Sequence, residues 1–168
     1  MKHRLLPLLL ALALSACAPE NNAPPAARDI ADGDFCTLDG MLLNDFPGPK
    51  AQIHYAGQAQ PDLFCDTVEM FSLYLKPEQQ KRITALFVQD MGAADWQAPR
   101  GHWIDAKTAL YVEGSKKHGS MGPTLASFAK HADAEAFAKQ HGGKVLRFDE
   151  VTPAMVVLDG GANHDKRM

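Results

Sequence analysis

The feature that most constrains this chain is a pattern met twice. An alternating run, Ala51-Gln52-Ile53-His54-Tyr55-Ala56, leads into a Gly/Pro turn and a short apolar run, Asp62 to Cys65. A helix-like stretch follows from Thr67 to Leu75, then a β-branched strand, Ile83 to Gln89. The second copy runs Thr108 to Glu113, a Gly-rich turn, Thr124 to Ala129, a helix from Asp133 to His141, and a strand from Lys144 to Phe148. Asp133 is the expected N-cap of that helix, and Gly142-Gly143 stops it. Each copy reads β-β-α-β, so the expected fold class is α+β, with two small related ββαβ-type halves over residues 31–92 and 93–158.

The ends carry different information. Met1 to Arg4 is a short basic segment, and Leu5 to Leu14 is an apolar run of ten residues. A helix of ten residues falls well short of the ~20 needed to cross a bilayer, so residues 1–16 read as a signal peptide. It ends Leu14-Ser15-Ala16-Cys17, the pattern of a bacterial lipobox, which makes Cys17 the acylated first residue of the mature chain. The expected location is the bacterial cell envelope. Lipid anchoring there, with the folded part in the periplasm, is the expectation, and Ala18 after the lipid cysteine favours the outer membrane. Residues 17–30, rich in Pro and Asn, read as a flexible tether, and residues 159–168 as a disordered tail.

Composition excludes several classes. Hydrophobic residues make up 46% of the chain, too many for a disordered polypeptide. Seventeen basic against twenty acidic residues give a formal charge of −3, and Lys116-Lys117 is only a two-charge turn, so nucleic acid is not an expected partner. There is no Gly-x-Ser-x-Gly, no phosphate-binding loop, no His-Glu-x-x-His and no defensible carboxylate pair, so the chain is not expected to be an enzyme.

Two cysteines remain after the lipidated one. Cys36 and Cys65 admit a disulfide in an oxidising compartment, which would make the protein a scaffold or interaction lipoprotein without metal. Against this, Phe35-Cys36-Thr37-Leu38-Asp39-Gly40-Met41 puts a thiol and a thioether five residues apart across an Asp-Gly turn. Those soft donors select Cu(I) over zinc, magnesium or calcium. Met121 sits between polar and glycine residues, too exposed a setting for core packing, and His118 three residues earlier offers a nitrogen. Cys65 and Met70 have the same spacing, but at the start of a helix they would point ~140° apart, so both read as core, with Cys65 also a possible disulfide partner. Met91, His54 and His102 read as structural.

These segments together resemble the NosL family. The resemblance rests on the lipobox cysteine, Cys36-x4-Met41 with Asp39-Gly40-Met41, Pro47 to Ile53, Val88 to Ala93 with Trp96, and Gly119-Ser120-Met121-Gly122. It extends over essentially the whole mature chain. It implies a two-domain α+β fold and a Cu(I)-binding lipoprotein, with one Cu(I) per monomer held through Cys36, Met41 and Met121. The implied role is copper delivery for the copper centres of nitrous oxide reductase in denitrification, with that reductase and its ABC-type accessory maturation complex as partners. Many relatives carry a second cysteine where this chain has Asp39. His118 is added to the ligand set from its proximity to Met121 alone.

Overall fold

The computed structural model describes residues 25–76 and 82–158. The segment read as a signal peptide, Cys17, most of the segment read as a tether and the tail over 159–168 lie outside those residues.

The first four elements are β1 (Ala51–Tyr55), β2 (Asp62–Phe64), α1 (Thr67–Tyr74) and β3 (Ile83–Gln89). β1 is central, paired antiparallel with β2 on one side and β3 on the other. After β4 (Trp103–Asp105), the order recurs: β5 (Leu110–Glu113) lies between β8 (Ala126–Phe128) and β9 (Lys144–Arg147), with α2 (His131–His141) connecting the latter two. Each half is therefore β-β-α-β with its first strand in the middle, and the fold is α+β as the pattern implies.

The halves differ in two additions. β4 follows β3 through a loop and pairs back onto it, Gln89 opposite Trp103 and Phe87 opposite Asp105, so this strand from the 93–158 segment completes the first sheet. Between β5 and β8 the chain also inserts a two-residue ladder, β6 (His118–Gly119) and β7 (Gly122–Pro123). The first half has only a turn at the equivalent place.

Helix α2 begins at His131, with Lys130 flanking it and no side-chain cap. Asp133 is thus inside the first turn, where its charge favours the positive end of the helix dipole, and is not the N-cap expected of it. The glycine stop holds: Gly142 takes φ +81° and its N–H donates to the Ala138 carbonyl. Helix α1 is the one with a side-chain cap, Asp66 accepting from Val68 N–H at 2.9 Å.

One apolar core runs through both halves. Ile53, Phe64, Met70, Phe71, Leu86 and Val88 from the first pack with Tyr111, Leu125 and Leu146 from the second. Phe71 and Tyr111 meet edge to face at 5.0 Å, and Phe148 closes the cluster against Phe71. A smaller cluster, Val112, Ala126, Phe128 and Ala134, sits under α2 and takes Met91 and Trp96 at its margin. The chain is already pinned at Arg28: its N–H donates to Gln52 Oε1, its guanidinium pairs with Asp34 at 2.9 Å, and Ile30 packs on the core. The end of the segment read as tether therefore belongs to the folded part.

Candidate metal centre

The Cys36 segment is a tight loop closed by an antiparallel bridge between Phe35 and Leu42. Cys36 N–H donates to the Met41 carbonyl at 2.8 Å, Gly40 N–H donates to the Cys36 carbonyl at 2.9 Å, and Asp39 Oδ1 accepts from Met41 N–H at 2.9 Å. Gly40 makes the reversal at φ +77°, where a side chain would be strained. The loop docks on β2, with Thr37 N–H donating to the Leu63 carbonyl and Leu63 N–H to Thr37 Oγ1. That docking buries the Cys36 thiol against the start of α1 while Phe35, Leu38 and Leu42 stay exposed.

Cys65 ends the β2 segment one residue before the α1 cap, and Glu69 lies four residues later, on the same side of the helix. The two thiols meet on the Glu69 carboxylate. Cys36 Sγ lies 3.2 Å from Oε2, and Cys65 Sγ lies 3.5 and 3.4 Å from Oε1 and Oε2. Asp39 joins them: one donor atom from each of Cys36, Asp39, Cys65 and Glu69 falls within 4.8 Å of all the others. Both cysteines are free thiols, and Cys36, Cys65 and Glu69 are buried.

The second half completes the wall. Cys65 Sγ also contacts Ser120 Oγ at 3.2 Å, on the turn between β6 and β7. Thr124 Oγ1 donates to Asp66 Oδ1 at 2.7 Å, and Thr67 Oγ1 donates to the Leu125 carbonyl at 2.6 Å. The close approach needs glycines. A Cβ on Gly119 would lie 2.0 Å from Asp66 Oδ2, and one on Gly48 would lie 2.9 Å from Gly119 Cα. The fully buried Lys50 shares the three N–H groups of Nζ among the carbonyls of Phe46, Pro47, Gly48 and Cys65, all at 2.8–3.1 Å.

Burial and proximity set the protonation. The Cys36 thiol is pulled down to about 6, first by the hydrogen bond from Cys65 and also by backbone N–H groups around Leu38 and Asp39, against the opposing effect of burial. Cys65 moves up, because its proton serves Cys36 and because it is buried. Glu69 is pushed up to about 9, first by burial and then by the charge of Cys36. At neutral pH the shared proton therefore belongs on Glu69 and the Cys36 sulfur is a thiolate, the form that binds metal. Lys50, lowered to about 8 by burial against the pull of Asp66, Cys65 and Glu69, remains a cation.

Of the residues singled out in the sequence, Cys36 lies in this cluster. Met41 is half-buried across the loop and packs on the core. Met121 follows Ser120 at the tip of the β6–β7 turn and is 44% exposed. His118 is exposed and is not one of the four clustered donors; its carbonyl accepts from Trp96 Nε1 at 3.1 Å. Cys65, read as core, is indeed buried, but its sulfur faces Cys36. Met70 is core, as expected. Glu69 is not among the residues singled out in the sequence, although its four-residue spacing from Cys65 is a signal that places both on one side of the helix start.

The chain's relatives bear on this site. The NosL family model matches residues 27–156. The copper-binding lipoprotein NosL of Stutzerimonas stutzeri is 41% identical over 96% of this chain and 87% of its own length. The copper-binding lipoprotein NosL of Achromobacter cycloclastes is 36% identical over 94% of this chain and 85% of its own. The crystal structure of the copper chaperone NosL from Shewanella denitrificans superposes with a TM-score of 0.73 at 41% identity, covering 78% of this chain and 99% of that one. These names are those of copper-binding and chaperone proteins, not of enzymes. With the family model matched across almost the entire described chain, this protein belongs to the NosL family.

Proposed function

We propose that this protein is a membrane-anchored copper carrier of the bacterial envelope. It is held by acyl chains on Cys17, takes one Cu(I) per monomer, and delivers it through the ABC-type accessory complex to nitrous oxide reductase. The observation that carries the reading is the convergence of two buried thiols, Cys36 and Cys65, in a chain whose relatives bind copper. Thiolate sulfur is the donor Cu(I) prefers. Met41 and Met121 are the proposed thioether donors, and His118 the proposed nitrogen donor.

The chemistry follows from the pocket. Cys36 presents a thiolate without waiting for metal, because Cys65 and the backbone stabilise it. Cys65 gives up its proton as copper enters, so binding releases a proton and strengthens as pH rises. The Met121 turn lies on the exposed side of the cluster. An acceptor sulfur or imidazole attacks from that side and replaces the ligands one at a time. Transfer therefore needs no free ion, and its direction is set by the acceptor's greater affinity.

The test is an anaerobic Cu(I) titration of the reduced protein against a competing chelator. The wild type is expected to bind one copper per chain, Cys36→Ser to lose competitive binding, and Cys65→Ser, Met41→Leu and Met121→Leu to weaken it. A reduced wild-type protein that does not compete for copper overturns the reading. Activation of copper-free nitrous oxide reductase by the loaded wild type, and not by loaded chelator, tests the delivery step.

A further inference from the structure

Copper accounts for the sulfur side of the pocket but leaves its oxygen side without a use. Glu69 puts a carboxyl group on a buried helix face, held between two cysteine sulfurs, and Asp39 brings a second carboxyl group to the same point. Carboxylate oxygen is a poor donor for Cu(I) and a good one for harder and borderline divalent ions. We propose that the Cys36, Cys65 and Glu69 side chains form a site for a divalent ion of the Zn2+ class, which occupies the pocket when copper does not, with Asp39 or water as fourth ligand.

The spacing supports this. Zinc bonds sulfur at about 2.3 Å and carboxylate oxygen at about 2.0 Å in a tetrahedron, which puts neighbouring sulfur and oxygen ligands about 3.5 Å apart. The sulfur–oxygen edges in this pocket are 3.2 Å for Cys36 with Glu69 Oε2 and 3.4 Å for Cys65 with the same oxygen. The same geometry separates two sulfur ligands by about 3.8 Å, inside the 4.8 Å span of the cluster. Two edges of one face of a zinc tetrahedron are therefore close to length, and the third is held within 4.8 Å. Charge points the same way: two thiolates and a carboxylate carry −3, and a divalent ion offsets more of that in a buried site than a monovalent one.

The arrangement differs from a closed structural zinc site. Its fourth ligand comes from Asp39, which is exposed on a loop and already accepts from Met41 N–H through Oδ1. Zinc would therefore be replaceable from the Asp39 side. Incoming Cu(I) keeps the two sulfurs and has no need of the oxygens, so copper loading becomes a metal exchange in which Zn2+ leaves with no change of oxidation state.

The test titrates the full-length, reduced, metal-free protein with Zn2+ against a competing indicator, beside Cu(I), for wild type, Glu69→Gln and Cys65→Ser. One Zn2+ per wild-type chain is expected. Glu69→Gln should lower the ratio of Zn2+ to Cu(I) affinity at least tenfold, and Cys65→Ser should weaken both ions. No Zn2+ binding by wild type, or an unchanged ratio in Glu69→Gln, overturns the proposal. Zinc K-edge absorption of the wild type needs no variant: two sulfurs near 2.3 Å with oxygen near 2.0 Å are expected, and a shell with fewer than two sulfurs or without light atoms refutes it. The proposal uses the pocket of the copper reading but not copper itself. Zn2+ binding without Cu(I) binding would sink that reading and keep this one, and the reverse result would do the opposite.

Discussion

The Cys36–Glu69 pair should leave a signature in stability against pH that either residue alone would hide. Glu69 has an ordinary value of 4.5 and is held up to about 9 in the folded protein, chiefly by burial. Between those limits the folded chain binds a proton the unfolded chain has released, so stability falls as pH rises. Cys36 has an ordinary value of 9.0 and is drawn down to about 6, chiefly by the Cys65 hydrogen bond. Between 6 and 9 the unfolded chain binds the extra proton, and stability rises with pH. A full proton difference is worth about 1.4 kcal/mol per pH unit. In the wild type, stability therefore drops by about 1 kcal/mol from pH 4.5 to 6 and then levels, as the two slopes cancel.

Two variants separate the slopes. Glu69→Gln removes the falling limb, so relative to wild type it gains about 1.4 kcal/mol per unit from pH 5 upward. Cys36→Ser removes the rising limb, and its stability goes on falling through pH 8, with burial still holding Glu69 up. Urea denaturation of reduced, metal-free protein at pH 5, 6, 7 and 8 measures all three, and differences between variants cancel the contributions of Asp66 and Lys50. Parallel curves for wild type and Glu69→Gln would refute the reasoning, because they would mean that Glu69 ionises alike in both states.

Lys50→Met should destabilise the protein by about 3–5 kcal/mol, the usual cost of deleting one partner from a buried charged network, since four carbonyls and Asp66 lose their cation. Chemical denaturation reads this directly, and a loss under 1 kcal/mol would show that Lys50 is not the node described. Gly119→Ala forces a Cβ to within 2.0 Å of Asp66 Oδ2 and should cost about 1–3 kcal/mol as an overpacked site. It should also weaken Cu(I) binding by displacing the Ser120 turn from Cys65, and an unchanged copper affinity would argue against that turn as part of the site.

The strands and helices were readable because their cues are local. Ile-Thr-Ala-Leu-Phe-Val-Gln has the β-branched character of β3, and the Gly142-Gly143 stop is where α2 ends. β4 was not readable: Trp103-Ile104-Asp105 is three residues between loops, and only its pairing with β3 makes it a strand. The start of α2 was misread because an Asp before an apolar run has the look of a cap, whereas the helix gains another half-turn from His131. At the site, the Cys36 loop announces itself through soft donors at short spacing. The spacing of Cys65 to Met70, five residues on, points the two apart, whereas the informative neighbour is Glu69 at four. Lys50 gives no sign in the sequence, since lysine is almost never fully buried and only the fold supplies its four carbonyls.

The position of the pocket follows from how the two halves differ. Each half repeats the same three-stranded order, and a strict repeat would put two equivalent loops at two equivalent helix starts. The β6–β7 turn exists only between β5 and β8, and it crosses to the first half, where Ser120 reaches Cys65 and Gly119 lies against Asp66. The helix start of the first half in turn carries the residues the second lacks: Cys65, the Asp66 cap and Glu69, against an α2 with no side-chain cap. The Cys36 loop, which precedes both repeats, closes the remaining side. Among the described residues this gives a single cluster of the four donors, made where an insertion in one half meets the helix start of the other. The four donors are thus drawn from two separate segments of the chain, with Ser120 added from a third, which is why no single continuous motif announces them.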